Sequence, residues 1–181
     1  ASLRETLRGL EPVDAEQRTD VTHEVWALAG AGGIQSRTRQ LIEEADREVV
    51  LVLGHQDLFT EDLADQLGEV RETGVKVILG TPSEEVRQDV QESLPGTDVF
   101  VSGLDWLSHS ALPGDTTEIG RLLLVDREAI LVSTFHAHDG DGQEREQAVF
   151  GRGFDNGLVA IVRRILATGL LESVPVESED D

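Results

Sequence analysis

From residue 24 onward, short aliphatic runs alternate with stretches whose apolar positions recur every three or four residues. Residues 24–28 (EVWAL) predict a short strand, which the glycines of residues 30–33 break. Ile34, Thr38, Leu41, Ile42 and Ala45 then fall on one helical face. The run VVLVL at residues 49–53 predicts a strand buried on both faces. Phe59, Leu63, Leu67 and Val70 give the next helical stripe, with Gly74 placed to end it. VKVIL at residues 75–79 is a second strand of parallel type, and Ser83 is a candidate N-cap for a helix carrying Val86, Val90 and Leu94, stopped by Pro95. Residues 98–101 predict a third short strand.

Residues 102–118 lack periodicity, and so long a connection is often functional. A hairpin follows: residues 121–125, a turn at Asp126, Arg127 and Glu128, then residues 129–133. A polar loop (136–144), a strand (147–150) and an amphipathic helix carrying Leu158, Ile161, Val162, Ile165 and Leu166 complete the pattern. The fold expected is α/β, a mixed and largely parallel sheet flanked by helices. Residues 1–20 read as the end of a linker helix and a linker, 21–172 as one domain, and 173–181 as an acidic, disordered tail. Leu3, Leu7 and Leu10 form a stripe that packs either on the domain itself or on a partner.

Composition changes the picture in one respect, which is charge. Of 181 residues, 36 are acidic and 15 basic, for a net charge of −21, and Lys76 is the sole lysine. Acids spread along the whole chain suit a cytoplasmic protein of a salt-accumulating halophile, because at about 1 M salt the Debye length is only about 3 Å. An acidic partner-binding surface would instead cluster them. The charge also opposes direct contact with a nucleic-acid backbone. The absence of cysteine excludes disulfides, thiol catalysis and thiolate zinc sites. No stretch is apolar enough to span a membrane and no signal peptide is visible.

The glycine-rich turn AGAGG has the strand–glycine–helix order of a phosphate loop but lacks its Lys and its full glycine spacing, so a flexible turn is the better reading. His136 and His138, followed by Asp139 and Asp141, have chelating spacing, against the commoner reading of a solvated turn. His55 and His109 are isolated. No metal and no cofactor is called for.

The hairpin carries the specific signal. IGRLLLVDREAILVSTF resembles the signature strand-turn-strand of the phospholipase D superfamily, in which a strand bears His, any residue, Lys, four residues and Asp, before a second strand ends in small polar residues. Asp126 matches the Asp, Arg121 stands at the Lys position, Ile119 at the position of the nucleophilic His, and Ser133 and Thr134 at the small polar end. The resemblance therefore implies a phospholipase-D-like sandwich without the covalent chemistry. The front half, EVWALAG through LADQLGEVRETGVKVILG, is similar to the effector domain of TrmB-type archaeal transcriptional regulators. That implies a non-catalytic sensor of a small-molecule metabolite, a homodimer, and DNA contact only through a winged helix upstream. Arg121, Asp126, Ser133, Thr134, His55 and His109 are then the candidate ligand-binding residues, with Arg121 meeting a phosphate or carboxylate. The alternative is a divergent phosphodiesterase or nuclease using His55, His109 or the His136 and His138 pair.

Overall fold

The computed structural model describes residues 25–102, 112–136 and 145–172. Its seven strands are β1 (Val25–Ala29), β2 (Glu48–Leu53), β3 (Lys76–Thr81), β4 (Asp98–Val101), β5 (Thr117–Val125), β6 (Ala129–His136) and β7 (Arg145–Arg152), and its helices are α1 (Ala31–Glu43), α2 (Glu61–Glu72), α3 (Glu84–Ser93) and α4 (Gly157–Glu172). The strands form one sheet in the order β1-β7-β6-β5-β2-β3-β4. The α/β class and the mixed, helix-flanked sheet are as the sequence predicts. The expectation of a largely parallel sheet needs correcting. Only β2–β3 and β3–β4 pair in parallel, and the other four pairings are antiparallel. VVLVL is indeed buried on both faces, but one of its two neighbours, β5, runs the opposite way. A continuous aliphatic run reports burial rather than strand direction.

Two apolar layers sandwich the sheet. On one face Val49, Leu51, Leu53, Leu123 and Leu131 pack with Ile34 and Leu41 of α1, Leu67 of α2 and Val90 of α3. On the other, Val50, Val52, Leu122, Leu124 and Ile130 pack with Val159, Val162 and Leu166 of α4. Successive β2 and β5 residues alternate between these layers, as the period of two requires. Thr60 and Ser83 cap α2 and α3, each accepting the backbone N–H three residues on. Gly74 ends α2 with φ of 95°, as its position in the sequence predicts.

The regular alternation fails at one place. The β5–β6 register shifts between Ile119 and Arg121, so Ile119 pairs with Thr134 while Arg121 pairs with Ser133. Gly120 is the extra residue of this bulge, and a Cβ there would fall 2.5 Å from the Phe135 ring and 2.8 Å from Ser133 Oγ. The Gly54 N–H donates to the Gly120 carbonyl at 2.7 Å, and a Cβ on Gly54 would come within 2.0 Å of the Ile119 carbonyl oxygen. Both glycines are thus required by close approach, and together they draw the end of β2 against the bulge. No helix among the described residues is long and apolar enough to cross a membrane.

Candidate functional site

A cavity of about 550 Å³ opens where β2 ends and β5 begins, between the sheet and helices α1 and α2. Arg121 and Glu146 form its floor, Gln35 and Thr38 come from α1, Leu63 and Gln66 from α2, and His55 and Phe135 from the strand ends. Arg121 faces this side because alternation places it with Leu123 and Val125. That placement buries a guanidinium beside apolar strands, and the chain supplies it with a partner. Glu146 Oε1 accepts from Arg121 Nε at 3.1 Å and stands 2.9 Å from Nη2, with the two side chains 8% and 3% exposed. A buried ion pair of this kind gains little net stability. Removing either partner, however, leaves an uncompensated charge, at a cost of about 3–5 kcal/mol.

Ser133 lies opposite Arg121 on the same face, fully buried, and its hydroxyl has no hydrogen-bond partner among the described residues. Burying a hydroxyl unpaired costs about 1–3 kcal/mol. His55 Nε2 stands 3.0 Å from Glu118 Oε2, but off the direction of an aligned hydrogen bond, so the contact is an ion pair when His55 is protonated. The His55 ring also meets Phe135 edge-on at 5.1 Å.

The candidate residues therefore separate. Arg121 and His55 line the cavity, and Ser133 sits beside Arg121. Thr134 is on the opposite sheet face with Val132, where its hydroxyl lies 3.4 Å from His136 Nε2. The other His136 nitrogen lies 3.3 Å from Thr117 Oγ1. Asp126 is at the far end of β5, five residues or about 17 Å of strand from Arg121. Its carboxylate accepts the backbone N–H groups of Asp46, Arg47 and Glu48 at 2.8–2.9 Å, closing the turn between α1 and β2. Burial opposes ionisation of this carboxyl, yet the three N–H donors and the Arg47 charge outweigh burial and hold it below the ordinary aspartate range. Asp126 is thus engaged by the backbone and does not reach the cavity. His109, His138, Asp139, Asp141 and the Leu3, Leu7 and Leu10 stripe lie outside the described residues. Among the described residues no three His, Asp or Glu side chains gather as metal ligands would.

The bulge has a chemical consequence. Ile119 packs in the layer under α4, whereas Arg121 faces the cavity. The position that the phospholipase D resemblance gives to the nucleophile is therefore apolar and also turned away from the cation. Glu146 is the residue that sequence reasoning missed. The signal was present in β7, where alternation places it with Ala148 and Phe150, an acid on an otherwise apolar face.

No family model matches the sequence, and no curated protein does. Among solved structures the chain is similar to TrmBL2, an archaeal chromatin protein described as showing a novel mode of DNA binding, with 17% identity and a TM-score of 0.57 over 86% of this chain. This chain spans only 56% of the length of that protein. It is also similar to Nuc from Salmonella typhimurium, a phospholipase D family member, with 14% identity and a TM-score of 0.56 over 83% of this chain and 97% of that one. NucT from Helicobacter pylori aligns over the same shares, with 14% identity and a TM-score of 0.53. At these identities the likeness is one of fold, and the fold is the phospholipase-D-like α/β sandwich.

Proposed function

We propose that this chain is the effector-sensing and dimerising domain of a transcriptional regulator, non-catalytic, with DNA contacted by a part of the protein outside these 181 residues. The observation that carries the sensing reading is the cavity floor. It holds a buried Arg121–Glu146 pair, beside which lies the Ser133 hydroxyl, unpartnered among the described residues, while the nucleophile position, Ile119, is apolar and faces the other way. A cavity of this size suits a small metabolite. The structural likeness to an archaeal chromatin protein and the net charge of −21 support the placement in a regulator and the separate DNA contact. Archaeal, halophilic and cytoplasmic origin belong to the same proposal.

The test is a thermal-shift screen of central metabolites in 3 M KCl, run beside a hydrolysis assay on bis(p-nitrophenyl) phosphate. The expected result is a stabilising metabolite and no turnover. Turnover that follows the protein through repurification and disappears in His55→Ala overturns the proposal. It would favour a second reading, a divergent phosphodiesterase, for which the His55–Glu118 contact at the cavity wall is the supporting observation.

A further inference from the structure

We propose that the cavity takes a small zwitterion, an α-amino acid or close analogue with an apolar side chain. The inference rests on the sensing reading above and adds the chemical class of the ligand. It starts from how the floor pair is bonded. Both contacts from Arg121, through Nε and Nη2, go to one oxygen, Glu146 Oε1. No hydrogen bond between described residues takes up Arg121 Nη1 or Glu146 Oε2, and neither is a fully buried unpartnered atom. Both side chains line the cavity. The floor thus presents a cationic donor next to an anionic acceptor. A buried ion pair offsets its desolvation only when its remaining donors and acceptors are also met. A ligand carboxylate on Nη1 and a ligand ammonium on Oε2 meet both, and adjacent charges on the ligand match adjacent charges on the floor.

Charge argues against the phosphorylated or carboxylated effector that Arg121 alone suggests in the sequence. Glu146 already neutralises Arg121. The ionisable lining as a whole sets Arg39 and Arg121 against Asp57, Asp62 and Glu146, a balance of one negative charge with His55 neutral. A phosphate monoester would bring two more negative charges to that lining. A polyol would find hydrogen bonds but would bring no charge to either member of the floor pair. Leu58, Leu63 and Phe135 form the apolar part of the wall, where the ligand side chain would rest.

Titration calorimetry of the full chain in 3 M KCl with free leucine, phenylalanine, glucose 6-phosphate and glucose tests this directly. We expect one of the two amino acids to bind, and its amide and N-acetyl derivatives, each missing one charge, to bind at least about tenfold more weakly. The paired variant Arg121→Gln with Glu146→Gln keeps neutrality and polar groups at both positions, and circular dichroism verifies that it folds. Its amide groups still donate and accept, so a polyol would be retained whereas the zwitterion loses at least about tenfold in affinity. Binding of glucose or glucose 6-phosphate with both amino acids silent overturns the zwitterion but leaves a sensor. So does a paired variant that binds the amino acid as the wild type does. Silence toward these ligands and toward the wider metabolite screen overturns both proposals.

Discussion

The two ends of strand β5 hold the two charged residues that the hairpin motif brings to notice, and they solve opposite problems. At the turn, Asp126 is fully engaged: three backbone N–H groups converge on its carboxylate. Its positive φ of 51° is a conformation that aspartate tolerates better than most residues. Both of its oxygens are held by the fold. At the bulge, Arg121 is paired through one Glu146 oxygen and lines a cavity, and Ser133 beside it has no partner among the described residues. One end of the strand is finished by folding and the other is left open. A charged residue in a motif indicates function only where its hydrogen-bonding capacity is not already used by the fold.

That contrast can be broken by mutation, and the largest effect belongs to the buried pair. Arg121→Ala or Glu146→Ala leaves an unpaired buried charge and should cost about 3–5 kcal/mol in denaturant unfolding. A loss under 1 kcal/mol for both would mean that the two charges are solvated rather than buried. Asp126→Ala removes three charge-assisted acceptances at a partly exposed turn and should cost about 1–3 kcal/mol. Because the folded carboxyl titrates below its ordinary value, its contribution is complete above the unfolded pKa of about 3.9 and is lost as pH falls through the lower folded value. The stability gap between wild type and Asp126→Asn should therefore narrow below about pH 4, and a gap constant from pH 7 to pH 2.5 would contradict it.

Ser133→Ala should have the smallest effect, between no change and a gain of about 1 kcal/mol, since it removes a hydroxyl that no described residue satisfies. A loss above 1 kcal/mol would mean that the hydroxyl has a partner in solution. Salt acts on the whole molecule rather than on either end. With a net charge of −21, the thermal midpoint should rise between 0.1 M and 3 M KCl, and an unchanged midpoint would remove the case for halophilic design.

Much of this was legible in the sequence because it rests on local rules. The helix stripes, the Ser83 cap and the Gly74 stop follow from side-chain spacing and capping chemistry. Alternation along β5 correctly put Arg121 on the face of Leu123 and Val125. Alternation stops at the bulge, because one inserted residue, Gly120, reverses the face of what precedes it and carries Ile119 to the other layer. Glu146 pairs with Arg121 across 25 residues of sequence and from a strand two places away in the sheet, beyond the reach of any periodicity. Strand direction was misjudged for the related reason that pairing partners are a long-range property.

The central claim is that the open end of β5, and not the turn, meets the ligand. It is tested most directly by titrating the metabolite found in the screen against wild type, Asp126→Ala, and two cavity-blocking variants on α1, Ala31→Trp and Gln35→Trp, in 3 M KCl. Wild type and Asp126→Ala should bind alike, and at least one blocked variant should bind at least about tenfold more weakly, a difference of about 1.4 kcal/mol. Unchanged affinity in both blocked variants, or affinity lost only in Asp126→Ala, would contradict the account.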